Sequence, residues 1–206
     1  MPKNAAKLIP GPAGDIEILF SPASQETRQT LVVICHPHPL YGGSMDNKVV
    51  HTLDRSLNKS GRSTVRFNFR GVGNSAGTYD EGQGEVDDLI AVCEWARAQR
   101  PDYKLWLAGF SFGSYIAIKA QTQLQPQQLI TVAPPVNIFD LSQASQPSCP
   151  WLLIQGLEDE IVDAGQVLEW AAQFDSLTLA TVPETGHFFH GKLNYLDAIL
   201  TEKLPV

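Results

Sequence analysis

The pentapeptide Gly109-Phe110-Ser111-Phe112-Gly113 puts a serine between two glycines, directly after an apolar run and directly before a helical pattern. A serine hydroxyl is a weak nucleophile until a base removes its proton. It must also be held out where a substrate can reach it, and a G-x-S-x-G turn from strand to helix does this. Such a turn is tight enough to strain the serine backbone, and the flanking glycines let strand and helix approach without Cβ clashes. The N–H of Phe112, at the start of the helix, then points to where negative charge develops on an attacked carbonyl oxygen. The chemistry implied is nucleophilic attack on an acyl carbon.

A serine nucleophile requires a base and a group that orients the base. Asp159 lies in Gln155-Gly156-Leu157-Glu158-Asp159-Glu160-Ile161-Val162, just past an apolar strand. His187 lies in Glu184-Thr185-Gly186-His187-Phe188-Phe189, just past the last strand pattern. The chain order Ser111, Asp159, His187 is the order of a nucleophile-elbow enzyme. Glu158 and Glu160 compete with Asp159 for the role of acid. Asp140 is a further candidate, because an acid can reach the histidine from the preceding strand.

The elements that must position these residues alternate. Strands are expected at Asp15–Phe20, Thr30–Cys35, Ser63–Phe69, Leu105–Phe110, Gln128–Val132, Trp151–Gln155 and Ser176–Val182. Near-continuous Val, Ile and Leu bounded by turn signals marks strands covered on both faces of a parallel sheet. Helices are expected at Asn47–Lys59 with Ser44 as cap, and at Glu85–Arg100, Phe112–Gln123, Ala164–Phe174 and Lys192–Thr201. The second of these sets Val86, Leu89, Ile90, Cys93 and Ala96 on one face. Such alternation implies right-handed crossovers and a mostly parallel, doubly wound α/β sheet of about seven or eight strands flanked by helices. The site then falls at the carboxyl edge of the sheet. Residues 133–149, broken by Pro134, Pro135 and Pro147, are too few for a helical cap domain. An uncapped site favours small, accessible acyl substrates.

The chain has 206 residues and a net charge of −7, which fits one domain spanning residues 1–206. The acidic balance argues against a nucleic-acid partner and against an anionic membrane surface. No apolar run approaches the ~20 residues of a membrane span, and the first 14 residues lack the apolar stretch of a secretory leader. Cys35, Cys93 and Cys149 are far apart and form no C-x-x-C pair, so they read as reduced, buried thiols of a cytoplasmic protein.

Two longer stretches carry a resemblance: Cys35-His36-Pro37-His38-Pro39-Leu40-Tyr41-Gly42-Gly43-Ser44-Met45-Asp46-Asn47-Lys48-Val49-Val50 and Arg66-Phe67-Asn68-Phe69-Arg70-Gly71-Val72-Gly73-Asn74-Ser75-Ala76-Gly77. With the elbow, they make the chain, from about residue 5 to its end, similar to the α/β-hydrolase superfamily. Within it the chain resembles the small, lidless esterase- or cutinase-like bacterial members. The resemblance implies a serine hydrolase needing neither cofactor nor metal, and it does not fix the substrate. In such hydrolases the loop after the strand ending at Cys35 supplies the second oxyanion N–H. Many relatives have His-Gly there, whereas this chain has His36-Pro37. Proline has no N–H, which leaves His38 as first choice and Leu40 or Tyr41 as alternatives.

The expected activity is cleavage of short esters or thioesters through an acyl-serine. An acyltransferase, a perhydrolase or a peptidase would use the same three residues, and a non-catalytic ligand-binding protein could retain them. Oligomeric state is not legible in the sequence. His36-x-His38 also resembles a paired-histidine metal site but lacks further ligands on other strands, and His36 is expected to bond within its loop. Gly71-x-Gly73-x-x-Ala76 matches a dinucleotide fingerprint yet follows an inner strand, so it reads as a tight turn with Arg70 anchoring loops. Asp87 and Asp88 read as a helix-face pair near a favourable dipole, and Gln121 to Gln128 as a solvated helix end and loop. Phe188 and Phe189 either line an acyl pocket or pack in the core.

Overall fold

The computed structural model describes residues 5–205 except 24, 26 and 143. Met1 to Asn4, part of the leader reading, lie outside the described residues. Eight strands form one sheet among the described residues: β1 Lys7–Ile9, β2 Ile16–Ser21, β3 Thr30–Cys35, β4 Ser63–Phe67, β5 Lys104–Phe110, β6 Gln128–Val132, β7 Trp151–Gly156 and β8 Leu177–Val182. Their spatial order is β1-β2-β4-β3-β5-β6-β7-β8. The pairs β1–β2 and β2–β4 are antiparallel and the others parallel. Helices are α1 Lys48–Lys59, α2 Gly84–Gln99, α3 Phe112–Leu124, α4 Ala164–Ala171 and α5 Leu193–Lys203.

The apolar runs are continuous because both faces of the inner strands are covered. Along β3, Leu31, Val33 and Cys35 face the cluster that holds Leu89, Cys93, Ile116 and Ala120 of α2 and α3. Val32 and Ile34 face the cluster of Val50, Leu53 and Leu57 of α1 with Leu196 and Leu200 of α5. α4 packs beside β7 on the first of these faces, through Val167 and Ala171 against Leu153. The parallel β6 and β7 are joined by residues 133–150, which hold no helix among the described residues. The α/β-hydrolase sheet without a cap domain is therefore the observed architecture.

The differences from the expected elements have local causes. β1 is three residues long, too short to show a period, and is fixed by its register with β2, Leu8 opposite Glu17. β4 stops at Phe67, because Asn68 and Phe69 turn away to other partners. β8 is an edge strand with Thr178, Leu179 and Thr181 exposed, not a strand buried on both faces. The cap of α1 is Asn47, whose Oδ1 accepts the N–H of Val49 at 2.9 Å, while Ser44 accepts from Asp46. α4 ends at Ala171, and Phe174 beyond it packs against Trp151 and Trp170. In α2, Val86 and Ile90 are only partly buried, and the core face carries Asp88 beside Leu89, Val92, Cys93 and Ala96. Gln121 and Gln128 are buried, unlike the exposed Gln123, Gln125 and Gln127 between them. Cys35, Cys93 and Cys149 are free and buried.

Candidate active site

β5 ends at Phe110 and α3 begins at Phe112, so the whole change of direction falls on Ser111, at φ 53° and ψ −121°. That conformation is costly for a residue with a side chain and persists only where neighbours enforce it. The Ser111 N–H donates to the Val132 carbonyl of β6 at 2.8 Å, and its own carbonyl accepts the Ser114 N–H at 2.8 Å. The Ser114 hydroxyl lies 2.8 Å from the Gly109 carbonyl and accepts the Val132 N–H at 3.1 Å, which ties the helix start to two strands. A Cβ on Gly109 would collide with the carbonyl of Gly113; one on Gly113 would collide with that of Cys35 and come within 2.7 Å of the His36 oxygen. These obstacles are main-chain atoms in the sheet and helix, which side-chain rotation cannot clear. The two glycines serve close approach.

Asp159 and His187 arrive on loops that are pinned together. The N–H groups of Leu157 and Glu158 donate to the carbonyls of Val182 and Thr185, both at 3.0 Å. The Asp159 Oδ1 accepts from the N–H groups of Ile161 at 2.9 Å and Val162 at 2.7 Å. Its Oδ2 lies 2.8 Å from His187 Nδ1 and 3.2 Å from Gln155 Nε2. His187 Nε2 in turn lies 3.0 Å from Ser111 Oγ. With the carboxylate as acceptor, Nδ1 carries the proton and Nε2 is free to accept the serine hydroxyl. Burial alone would raise the Asp159 pKa. Hydrogen bonds from His187, Val162 and Ile161 outweigh it and hold the acid below its ordinary value.

The structure also places the competing acids. Glu160 Oε2 accepts the main-chain N–H of His187 at 3.0 Å, so it holds the histidine loop and not the ring. Glu158 is exposed. Asp140 is exposed and accepts the Ser142 N–H at 2.9 Å, away from the cavity wall.

Ser111 and His187 sit in the wall of a cavity of about 510 Å³ at the carboxyl edge of the sheet. Its wall includes Phe112, Ile138, Phe139, Ile161 and Phe188 and, among the described residues, no Asp, Glu, Lys or Arg. Phe188 thus lines the cavity, while Phe189 is fully buried in the core. The N–H of Phe112, first residue of α3, has no main-chain acceptor among the described residues. In the loop after β3, Leu40 N–H donates to His38 Nδ1 at 3.2 Å, and Tyr41 N–H donates to the His38 carbonyl at 3.2 Å. The N–H of His38 itself has no acceptor among the described residues. Of the three candidates His38 alone has a main-chain donor to spare.

Both ring nitrogens of the fully buried His36 are engaged: Nδ1 with the Pro37 carbonyl at 2.6 Å, and Nε2 accepting the Phe69 N–H at 3.0 Å. Burial holds its pKa down to about 4, so the ring is neutral and bridges two strand ends. Gly71 and Gly73 adopt positive φ in a turn closed by Gly71 N–H to the Ala76 carbonyl at 3.1 Å, and α2 starts only at Gly84. Asp88 is not an exposed helix-face charge. It accepts from Arg70 Nε, Nη2 and main-chain N–H at 3.0, 2.8 and 2.9 Å, because the Arg70 loop crosses the buried face of α2. Sequence reasoning missed Gln155, since a glutamine ending an apolar strand carries no distinguishing signal. It also missed Glu17, which accepts from Asn68 and from Asn74 to strap the adjacent loop.

Known proteins resemble this chain along most of its length. A family model described as "Serine aminopeptidase, S33" matches residues 26–147, ending before Asp159 and His187. The chain is 38% identical over 205 residues to an uncharacterized protein of Rickettsia prowazekii, covering 94% of this chain and 86% of that one. A lidless α/β serine hydrolase of Xanthomonas campestris superposes with a TM-score of 0.93 at 44% identity, covering 100% of this chain and 97% of that one. An α/β serine hydrolase homologue of Coxiella burnetii gives 0.95 at 43% identity, covering 100% and 99%. No helix among the described residues is long and apolar enough to cross a membrane. The chain belongs to the α/β-hydrolase superfamily of serine hydrolases, in the family of the serine aminopeptidase S33 model.

Proposed function

We propose that the protein hydrolyses carboxylic esters or thioesters of small, accessible substrates through an acyl-serine intermediate, with Ser111 as nucleophile. The observation that carries this reading is the unbroken path Ser111 Oγ to His187 Nε2 at 3.0 Å and His187 Nδ1 to Asp159 Oδ2 at 2.8 Å, opening into an uncapped apolar cavity. His187 takes the Ser111 proton as Oγ attacks the acyl carbon, and Asp159 keeps the ring in the accepting tautomer. The N–H groups of Phe112 and His38 receive the developing oxyanion. His187 then gives the proton to the leaving oxygen or sulfur, and a water activated by the same nitrogen releases the acid.

Esterase activity is favoured over the aminopeptidase activity named in the family description by the cavity wall itself. An aminopeptidase must hold a cationic α-amino group, and no carboxylate among the described residues lines this cavity. The test is a panel of p-nitrophenyl esters and thioesters of graded length beside aminoacyl anilides. Turnover of short esters, lost in His187→Ala, supports the reading. Selective anilide turnover, or a marked preference for long-chain lipid with interfacial activation, contradicts it.

A further inference from the structure

The side chain of His38 has a role that its main chain does not explain. Its Nδ1 accepts the Leu40 N–H at 3.2 Å as the cap of the short turn Pro39–Tyr41. A neutral imidazole whose Nδ1 is an acceptor carries its proton on Nε2. Burial among aromatic rings favours that neutral form: Tyr41, Tyr79, Phe112 and Phe139 have centroids 4.8, 4.9, 5.0 and 5.9 Å from that of His38. The Nε2 atom has no hydrogen-bond partner among the described residues, and it is not among the unpaired polar atoms sealed from solvent. His38 is among the residues lining the cavity that holds Ser111, and its ring lies against those of Tyr41, Phe112 and Phe139, which line it too. Because the Nε2 donor is open to solvent, water can hold it until an acceptor carried by a substrate takes its place.

The direction of the chemistry says which part of a substrate reaches it. His187 must hand its proton to the leaving group, so that group lies on the His187 and Phe188 side. An acyl chain directed away from His187 meets the rest of the wall, which includes Phe112, Phe139 and His38. We propose that the His38 imidazole is a specificity-determining residue whose Nε2–H donates to an acceptor oxygen carried by the acyl chain, which makes esters of oxygenated acids the matched substrates. This rests on the reading of Ser111 as the nucleophile and adds a second, separable claim to it.

The test compares kcat/KM for p-nitrophenyl hexanoate with the three isosteres in which an ether oxygen replaces the methylene at position 3, 4 or 5. Each is measured in the wild type, His38→Asn and His38→Phe. Asparagine keeps an oxygen to cap Leu40, but its amide ends one bond short of the Nε2 position; phenylalanine keeps the ring and loses both nitrogens. The wild type is expected to favour one oxygen position over its neighbours, and both variants to lose that preference by about 3- to 10-fold, the worth of one neutral hydrogen bond. An oxygen-position profile that is flat in the wild type, or unchanged in His38→Asn while His38→Phe slows all four esters alike, overturns the proposal and leaves His38 as a cap alone. A protein that turns over none of the four esters overturns the reading of Ser111 as well.

Discussion

Asp159→Asn is the substitution whose consequence the geometry predicts most sharply. The Asp159 Oδ1 receives two main-chain N–H groups, at 2.9 and 2.7 Å. An asparagine must keep its carbonyl oxygen there, since turning the amide would set an NH2 against those two donors. The NH2 then takes the place of Oδ2, 2.8 Å from His187 Nδ1. It donates to Nδ1, so the neutral ring is forced to carry its proton on Nε2, the atom that must accept from Ser111. The approach of Gln155 Nε2, at 3.2 Å, adds a second donor facing that NH2. Holding the wrong tautomer lowers kcat by about 10⁴-fold in triads of this kind, or about 5 kcal/mol of transition-state stabilisation. The assay is kcat/KM on p-nitrophenyl acetate with a thermal melt as fold control, alongside Asp140→Asn. The second variant should stay within about twofold of wild type, because the Asp140 carboxylate caps Ser142 outside the cavity. Retention of more than a tenth of wild-type activity in Asp159→Asn, or a large loss in Asp140→Asn, would refute the assignment of the acid.

Other consequences concern stability. Asp88→Ala removes the buried carboxylate of Arg70 and leaves its guanidinium only the exposed Asp80, 3.7 Å away, at a cost of up to about 3–5 kcal/mol. The melting midpoint should then fall by up to about 6–20 °C, and an unchanged midpoint would show the pair to be idle. Because the Asp159 pKa is lower folded than its ordinary value, its contribution to stability is full only from about one unit above the ordinary carboxyl pKa of about 4. It disappears as pH falls through and below that point, so the wild-type advantage in melting temperature over Asp159→Asn should shrink between pH 5 and pH 3, near about one unit either side of the ordinary carboxyl pKa. Gly113→Ala drives a methyl group into the main chain at the end of β3. It should destabilise by about 1–3 kcal/mol and slow esterolysis together, by displacing the start of α3; wild-type behaviour in both measurements would sink the close-approach argument.

Much of this was legible because both signals were local. Leu31 to Ile34 and Trp151 to Ile154 are apolar at every position because each face of the sheet meets helices, and that run survives in the sequence. The two glycines marked the strand-to-helix turn at Ser111, and the strand ends marked where Asp159 and His187 come together with it. What was hidden depended on partners far away in the chain. Asp88 looks like any acid on a helix face until the Arg70 loop is laid across it. Glu160 looks like a rival to Asp159 until its carboxylate is seen holding the His187 main chain. β1 is set by pairing with β2 and not by a pattern of its own. The open Nε2 of His38 is visible only once Nδ1 is found occupied by Leu40.

The central claim is that Ser111 is an activated nucleophile, and the most direct measurement is covalent labelling by a fluorophosphonate probe read by intact mass. The account predicts one adduct on the folded wild type, located at Ser111 by peptide mapping, and none on Ser111→Ala. A folded wild-type protein that stays unlabelled, or an adduct that persists in Ser111→Ala, would contradict it.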